Sequence, residues 1–290
     1  MKNIKITFIG GDMRQISAAG YFSVRGHAVS IFGFDGLRGE NACAKLCEYL
    51  PEALSGADCI VLPLPYICDG KINCPMSKAE ISLSDVIENS GQAIILGGKL
   101  DKKAYDAAIA HNNKTIDYYD REELSVLNAV PTAEGAIEIA MRELPITLFK
   151  AKIAVVGYGR VGKVLAKELT SLGACVTVFA RSPSARAWAC VDGCLARDLT
   201  VLTGCSSEYS CIFNTVPAPV ITSAVLENMN KSTPVIDLAS APGGVDAGAA
   251  EKQKIKVISA LSLPGRVAPD TAGEIIAETI ENILIQEELL

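Results

Sequence analysis

The chain has 290 residues, which is the length of about two ordinary domains. Its 27 basic and 33 acidic residues give a formal net charge of −6, so nucleic acid and anionic membranes are not expected as main partners. Apolar residues make up 49% of the chain and charged residues 21%, which excludes a disordered protein. Because no uncharged stretch reaches the ~20 apolar residues of a membrane span, we expect a soluble protein.

The ten cysteines are predicted to be reduced. The chain enters a strand from its first residues without a cleavable apolar segment, which favours a cytoplasmic protein. Cys59, Cys175 and Cys211 lie beside or within apolar runs, where a thiol behaves as a small hydrophobic group. No CxxC pair occurs, and His27 and His111 are far apart in sequence. We therefore expect no metal site.

The first half of the chain alternates short apolar runs with helical patterns. Strands are predicted at Ile4–Gly10, Ala28–Phe34, Cys59–Leu64, Ala93–Leu96 and Thr115–Tyr119. Helices are predicted between them, for example at Ser17–Arg25 and Lys102–Asn112. Since the strand runs are apolar throughout, they suit a parallel sheet with both faces covered.

The second half repeats this alternation. Its strands are predicted at Lys152–Val156, Cys175–Ala180, Cys194–Ala196, Cys211–Asn214, Pro234–Leu238 and Lys256–Ser259. Two further helices, Pro131–Glu143 and Thr271–Leu289, lie outside the alternation. The second of them carries an amphipathic stripe, and we expect both helices to bridge two domains.

The pattern as a whole predicts an α/β fold with two doubly wound parallel-sheet (Rossmann-like) domains, a cleft between them and two bridging helices. Residues 1–130 together with 271–290 are assigned to a substrate-binding domain. Residues 131–270 are assigned to a nucleotide-binding domain because they contain the glycine motif described next.

A GxGxxG motif follows the first strand of the second half. Gly157, Gly159 and Gly162 lie between an apolar strand and a helical pattern, within a βαβ unit. In this context the first glycine permits a tight turn, the second lets the backbone approach a pyrophosphate, and the third lets the helix pack closely on the strand. The pyrophosphate would lie at the helix N-terminus. The motif therefore predicts a dinucleotide site.

The end of the next strand indicates which dinucleotide is bound. Sites that prefer NAD usually carry an acidic residue about 20 residues past the glycines. Here Arg181 and Ser182 occupy this position, and Arg186 follows. A guanidinium and a hydroxyl suit a 2′-phosphate, so we expect NADP(H). Alternatively, Arg181 stacks on the adenine of either cofactor.

Three later loops are expected to line the nicotinamide, because ligands of such sheets bind at the carboxyl ends of the strands. They are rich in small residues and proline. These loops are Asn214–Pro217, which includes Thr215 and Val216, Asp237–Gly244, and Leu261–Gly265. The alternative is that they are ordinary βα loops without a ligand.

The first half offers candidate groups for the substrate. Asp12 and Arg14 follow the first strand in the segment GGDMR, which is not a GxGxxG motif, and Lys99 follows a later strand. We expect these side chains to bind substrate rather than a second nucleotide. Alternatively, Asp12 caps a helix while Arg14 and Lys99 are solvated surface charges.

Two further segments are predicted to contribute to substrate binding. Asn128 can cap the helix that contains Pro131 near its start, and a helix N-terminus offers N–H groups to a carboxylate. Arg266 lies in the segment that leads into the last helix. The alternative for the first segment is a capped helix without a ligand.

Six segments resemble, in this order, the dipicolinate synthase A-subunit family of spore-forming bacteria: GGDMR, NAVPTAEGAIEIAM, GYGRVG, FARS, DLASAPGG and SLPGRVAPDTAG. The resemblance covers essentially the whole chain. It implies oxidation of a dihydrodipicolinate-type intermediate of the lysine pathway to pyridine-2,6-dicarboxylate, with NADP+ as the hydride acceptor. It also implies action in the mother-cell cytoplasm during sporulation, together with a second, flavoprotein-like subunit.

The resemblance also implies roles for individual residues. The cofactor phosphates would be bound by Gly157, Gly159, Arg160, Val161 and Gly162, and the 2′-phosphate by Arg181 and Ser182. The nicotinamide would lie along the Ala239–Gly244 loop, which begins with Ala239 and Ser240, and along Leu263 and Pro264. The substrate side would be lined by Asp12, Arg14, Asn128, Thr132 and Glu134. The ring proton would leave through Asp12, Glu134 or a water molecule, and no catalytic base is assigned.

Two other functions remain open at this point. The chain could be a dehydrogenase of another small carboxylate, since its two-domain plan is similar to 2-hydroxyacid and shikimate dehydrogenases. It lacks, however, the Arg…Glu…His set of the former and the NxTxPxK stretch of the latter. It could also be a non-catalytic NADP-binding regulatory protein. In each case we expect a homo-oligomer.

Overall fold

The computed structural model describes residues 2–35 and 44–290. The chain forms two compact units, of which the N-terminal unit contains Met1–Leu127 and Ala268–Leu290, and the C-terminal unit contains Asn128–Val267. Each unit has a six-stranded, all-parallel sheet with helices on it. The predicted fold class, two doubly wound α/β domains, is confirmed.

The N-terminal unit builds its sheet from six strands, with a small hairpin inserted after the fourth. The strands are β1 (Lys5–Ile9), β2 (Ala28–Phe32), β3 (Lys45–Leu46), β4 (Cys59–Val61), β5 (Ile67–Cys68), β6 (Lys71–Ile72), β7 (Ile94–Gly97) and β8 (Thr115–Asp117). The sheet has the order β3-β2-β1-β4-β7-β8, while β5 and β6 pair antiparallel. This is the Rossmann order 3-2-1-4-5-6 once the hairpin is set aside.

The helices of this unit up to residue 127 connect the strands, except for the last two, which follow β8. They are α1 (Met13–Val24), α2 (Leu50–Leu54), α3 (Leu83–Glu88), α4 (Lys102–Ala110), a 3-10 turn (Tyr118–Asp120) and α5 (Glu122–Leu127). Helix α1 begins four residues before the predicted Ser17. The reason is a capping box, in which the Asp12 side chain accepts from the Arg14 N–H and the Gln15 side chain accepts from the Asp12 N–H.

The C-terminal unit has the same strand order. Its elements are α6 (Ala129–Glu143), β9 (Lys152–Val156), α7 (Arg160–Ser171), β10 (Cys175–Phe179), α8 (Pro183–Val191), β11 (Leu195–Arg197), α9 (Leu202–Cys205), β12 (Cys211–Asn214), α10 (Ser223–Glu227), β13 (Val235–Asp237), α11 (Ala247–Gln253), β14 (Val257–Ser259) and α12 (Leu263–Val267). Two 3-10 turns flank α9, at Leu199–Val201 and Ser206–Glu208. The sheet order β11-β10-β9-β12-β13-β14 places a topological switch point between β9 and β12.

The last helix, α13 (Pro269–Gln286), packs on α1 within the N-terminal unit. Its buried apolar stripe includes Ile276 and Ile280. The two helices approach closely at Gly273, where an added Cβ atom would lie 2.4 Å from the Arg14 carbonyl oxygen. Small residues of this kind are what permit such an approach, so the end of the chain completes the core of the N-terminal unit.

The nine described cysteines are all free. Cys59 and Cys211 are buried as expected, but Cys175 is exposed because it is the first residue of β10. Within residues 2–35 and 44–290, no helix is both long and apolar enough to cross a membrane.

Candidate functional site

The protein's own packing requires two glycines here, one in the turn between β9 and α7 and one in the first turn of α7. Gly157 has a positive φ of 96°, and an added Cβ atom would lie 2.4 Å from Thr215 Oγ1. At Gly162 an added Cβ atom would lie 2.4 Å from the Gly157 carbonyl oxygen. Because neither glycine has a side chain, the strand, the turn and the helix can pack closely against one another.

Gly159 differs from these two glycines. It is the N-cap residue of α7, its backbone is extended (φ −82°, ψ −161°), and no side chain caps the helix. An added Cβ atom would have no neighbour within 4 Å. Packing within the described residues therefore does not require a glycine at this position. Arg160, Val161 and Gly162 form the first turn of α7, and the backbone N–H groups of a first helical turn can bind an anion such as a pyrophosphate.

Of the two arginines that follow β10, one is exposed to solvent and the other is hydrogen-bonded within the protein. Arg181 and Ser182 are exposed, and the Ser182 hydroxyl caps α8. Nη1 of Arg186 donates to the carbonyl oxygens of Ala180 (2.8 Å) and Arg181 (2.7 Å) and to Asp198 Oδ2 (2.7 Å). Arg186 therefore fixes the backbone that carries Arg181.

Asn214 and Asp237 end β12 and β13 opposite one another, and both are buried. Asn214 Nδ2 donates to Asp237 Oδ1 (2.8 Å), while the Asn214 side chain both donates to and accepts from Val216 at 3.1 Å. Asp237 also accepts from the N–H groups of Ala239 and Gly244, each at 3.1 Å. This network was not predicted, although a polar residue ends each of the two apolar strands in the sequence.

The network fixes the two loops that were expected to line the nicotinamide. Thr215 donates to the Val156 carbonyl (2.9 Å) beside the glycine turn, and Val216 is half-buried next to it. Pro217 and Ser240 are exposed, whereas Ala239 is buried. The third expected loop differs from the prediction.

Leu263 and Pro264 belong to the short helix α12 rather than to a loop, and both are buried. Leu263 packs against α6, where a Cβ atom added to Gly135 would lie 3.3 Å from Leu263 Cβ. Its side chain is therefore part of the hydrophobic core, and only its backbone could face a ligand.

The corresponding turn of the N-terminal unit, after β1, is closed by the protein itself. The Gly11 N–H donates to the Asn73 carbonyl (2.8 Å). A Cβ atom added to Gly10 would lie 2.4 Å from Cys74 Sγ, and burial raises the pKa of the Cys74 thiol to about 11. The segment after the β5–β6 hairpin therefore packs directly against this turn.

Asp12 and Arg14 form a rigid ion pair at the same edge of the sheet. Arg14 Nε and Nη2 lie 2.9 and 2.8 Å from Asp12 Oδ1 and Oδ2, and Nη2 also donates to the Leu64 carbonyl (2.8 Å). The Arg14 side chain is only 12% exposed, so the alternative of a surface arginine is wrong. Its Nη1 has no partner among the described residues, and it remains available to a ligand.

Lys99 lies at the end of β7, on the other side of the Leu64 segment. Its backbone has a positive φ of 60°, and its N–H donates to Asp117 Oδ1 (3.1 Å). Burial raises the pKa of Asp117, although backbone N–H groups act in the opposite direction. The Lys99 Nζ is exposed and lies 4.9 Å from the centre of the Tyr119 ring. The structure therefore fixes the backbone of Lys99 and leaves its charge accessible.

The remaining predicted substrate residues are spread along α6 and α12. Asn128 makes no side-chain capping bond and has helical backbone angles, so the prediction that it caps α6 is wrong. The Thr132 hydroxyl donates to the Asn128 carbonyl (2.7 Å). Glu134 is exposed on α6, and Arg266 is exposed on α12.

Glu168 on α7 is a titratable group that the sequence analysis did not consider. Its Oε2 is buried and has no hydrogen-bond partner among the described residues. Burial, with a smaller contribution from the charge of Glu134, raises the pKa of Glu168 from 4.5 to about 7. The folded protein therefore holds this carboxyl group partly protonated near neutral pH.

Replacing Glu168 with glutamine is expected to stabilise the protein at about pH 8. The folded state binds the proton more tightly than the unfolded chain does. This tighter binding stabilises the folded state. The stabilisation is complete below the pKa that Glu168 has in the unfolded chain, and it is lost as the pH rises through its folded-state pKa of about 7. Because Glu168 is partly exposed, we expect a gain of about 1 kcal/mol at pH 8 and almost none at about pH 4.5.

The measurement is urea unfolding of both proteins across this pH range. Glu138→Gln is the matched control, because Glu138 is exposed on α6 and its one ion pair among the described residues is with Arg142. It should change the unfolding free energy by a few tenths of a kcal/mol. A Glu168→Gln effect of equal size at both pH values would contradict the raised pKa.

The strand order, the open glycine turn and the arginine at the end of β10 define the C-terminal unit as a dinucleotide-binding domain of the dehydrogenase type. Residues 152–264 match the family model of the NAD binding domain of 6-phosphogluconate dehydrogenase. Residues 5–119 match the model of the N-terminal domain of the dipicolinate synthase A subunit. The chain is 30% identical over 289 residues to the dipicolinate synthase A subunit of Bacillus subtilis, covering 99% of this chain and 97% of that one. It belongs to the dipicolinate synthase A-subunit family.

Solved structures agree with this assignment. The dipicolinate synthase A subunit from Bacillus halodurans is 32% identical, with a TM-score of 0.88 and coverage of 97% of each chain. The corresponding chain of dipicolinate synthase from Bacillus subtilis also has a TM-score of 0.88, with 30% identity over 99% and 98% of the two chains. A transhydrogenase from Sinorhizobium meliloti has a TM-score of 0.72 over 98% and 94% of the chains, but at 18% identity it shows only a shared fold.

Proposed function

We propose that this protein oxidises a dihydrodipicolinate-type intermediate of the lysine pathway to pyridine-2,6-dicarboxylate, with NADP+ as the acceptor. In this reaction the dihydropyridine ring loses a hydride to the cofactor and a proton to the solvent or a base, and becomes aromatic. The observation that carries the proposal is the open space at Gly159, in a chain of the dipicolinate synthase A-subunit family.

The cofactor supplies the hydride chemistry, and the protein supplies binding and electrostatics. The first-turn N–H groups of α7 would bind the pyrophosphate. The Asn214–Asp237 network would hold the loops beside the nicotinamide in a fixed shape. Hydrogen bonds that fix these loops in advance reduce the reorganisation that is needed when the cofactor binds.

Arg181 is proposed to determine the preference for NADP(H). It is exposed at the end of β10, and Arg186 holds its backbone. Asp198 is already bonded to Arg186 and Thr200, so its carboxylate is held by protein groups. A 2′-phosphate placed at Arg181 would meet its guanidinium and would accept a hydrogen bond from the Ser182 hydroxyl, whose oxygen caps α8.

Replacing Arg181 with aspartate is expected to weaken NADP(H) binding by about 2 kcal/mol or more, because a charge-assisted bond is lost and a repulsive charge is added. NAD(H) binding should change little or improve. Equilibrium titration of the four nucleotides measures both effects. Arg197→Ala, at the end of the edge strand β11, is the control and should leave the NADP/NAD ratio unchanged. If the variant binds NADP(H) as tightly as the wild type does, the 2′-phosphate is recognised elsewhere.

The substrate carboxylates are proposed to bind to Arg14 and Lys99. Arg14 is held by Asp12 and by the Leu64 carbonyl, and its Nη1 has no partner among the described residues, while the Lys99 side chain is exposed. Two cations that flank one backbone segment suit two carboxylates on one ring. Asp12, Glu134 or a water molecule would accept the ring proton.

The partner, assembly and cellular site follow from the same proposal. A second, flavoprotein-like subunit of dipicolinate synthase is the expected partner, and the chain itself is expected to form a homo-oligomer. We place its action in the mother-cell cytoplasm of a sporulating bacterium.

The reaction is tested by mixing the purified chain with NADP+ and freshly prepared lysine-pathway intermediate. Formation of reduced nicotinamide is followed by its near-ultraviolet absorbance and of pyridine-2,6-dicarboxylate by chromatography. Equal amounts of both products are expected. The assay is repeated in the presence of the flavoprotein-like partner. Nucleotide binding without turnover in both assays would instead indicate a regulatory NADP-binding protein, and turnover with another small carboxylate would indicate a different dehydrogenase.

A further inference from the structure

A buried carboxylate without a cationic partner lies at the carboxyl edge of the C-terminal sheet. Asp237 is 8% exposed. It accepts hydrogen bonds from Asn214 Nδ2, from the Ala239 N–H and from the Gly244 N–H. All three donors are neutral. Within the part of the chain that the structure describes, no ion pair involves Asp237. Its negative charge is therefore held in place but not neutralised.

The surrounding packing keeps this carboxylate in one position. A Cβ atom added to Gly244 would lie 2.1 Å from Asn214 Nδ2 and 2.5 Å from the Val216 carbonyl oxygen. Gly243 has a positive φ of 86°, and its added Cβ atom would lie 3.1 Å from Asp237 Oδ2. The loop thus closes over the carboxylate in a conformation that only glycine residues allow at these two points.

The position of Asp237 in the sheet indicates which end of a bound dinucleotide would lie near it. The glycine turn follows β9 and Arg181 follows β10, whereas β12 and β13 lie on the other side of the switch point. If the 2′-phosphate binds at Arg181, the nicotinamide extends over β12 and β13. This step rests on the proposed function.

We propose that Asp237 makes the protein favour the oxidised nicotinamide over the reduced one, with Asn214 as the positioning residue for its carboxylate. The nicotinamide ring carries one positive charge in NADP+ and none in NADPH, after it has accepted a hydride from the substrate. A fixed negative charge in a poorly solvated edge stabilises the cationic ring and has little effect on the neutral one. The selection favours binding of the oxidant and release of NADPH, as oxidation of the substrate requires.

Asp237→Asn tests the charge. We expect the dissociation constant for NADP+ to rise about tenfold more than that for NADPH, which corresponds to about 1.4 kcal/mol. Both constants are measured by equilibrium titration of the protein without substrate. Asp237→Ser is a second neutral variant, because it leaves room for a water molecule to bond to the loop N–H groups. Thermal unfolding without nucleotide identifies which of the two variants keeps its fold.

Gly244→Ala is the control for loop geometry. It disturbs the Asn214–Asp237 network without changing the charge, so it should weaken NADP+ and NADPH binding equally. The inference is overturned if the neutral variants weaken both nucleotides equally, or if Gly244→Ala changes the ratio as much as they do. If the wild-type protein binds neither nucleotide, the proposed function fails and this inference fails with it.

Discussion

Replacing Gly159 with aspartate is expected to remove nucleotide binding while leaving the fold intact. Gly159 has an extended backbone and open space around its Cα atom, so the side chain can be accommodated. Aspartate is a favoured N-cap residue, and its carboxylate would accept bonds from the first-turn N–H groups of α7. These N–H groups are the ones proposed to bind the pyrophosphate. A fixed negative charge there should weaken NADP(H) binding a hundredfold or more, that is by about 2.7 kcal/mol.

Two variants separate this effect from a loss of structure. Gly159→Ser supplies a neutral cap and should weaken binding less than aspartate does. Gly162→Ala should reduce the melting temperature, because its Cβ atom would lie 2.4 Å from the Gly157 carbonyl oxygen. The measurements are nucleotide titration and thermal unfolding of each protein. If Gly159→Asp binds NADP(H) normally, the pyrophosphate does not lie at the α7 N-terminus.

Most strands of the two sheets could be predicted because they contain a continuous apolar run. Strands β9 and β12 were predicted to the residue. Strand β3 was not predicted, since its two residues, Lys45 and Leu46, are both exposed at a sheet edge. The β5–β6 hairpin was missed because its two-residue strands are too short to show a measurable periodicity.

The glycine turn could be predicted because its signal is local, whereas the contacts that complete the two sites join distant segments. Asn214 and Asp237 are 23 residues apart, and they meet because β12 and β13 pair in register. Asn73 and Cys74 pack against the turn after β1 because the β5–β6 hairpin brings them there, and no sequence pattern predicts this hairpin. The prediction that the N-terminal unit holds no second nucleotide depends on the missing GxGxxG motif, and it stays a prediction.

Arg14→Ala is expected to reduce kcat/KM for the dicarboxylate substrate by about 10- to 150-fold, or ~1.5–3 kcal/mol, through loss of a partly buried charged hydrogen bond. NADP(H) affinity should change little, since the glycine motif belongs to the other unit. Helix α1 should persist in this variant, because the Asp12 carboxylate caps it by accepting from the backbone N–H of residue 14, which alanine keeps. Thermal unfolding checks this point, and Lys102→Ala, an exposed cation at the start of α4, serves as the control.

Binding of product analogues distinguishes a residue that binds a substrate carboxylate from a residue that only shapes the loop. Wild-type protein should bind pyridine-2,6-dicarboxylate more tightly than pyridine-2-carboxylate, because the second carboxylate meets a second cation. If Arg14 binds one carboxylate and Lys99 the other, removing either side chain should abolish most of this difference. Arg14→Lys should restore part of it, since the charge returns without the bidentate pairing to Asp12. A preference for the dicarboxylate that survives in both Arg14→Ala and Lys99→Ala would mean that other groups bind the two carboxylates. Arg14 would then serve only to hold the Leu64 segment against the end of β1.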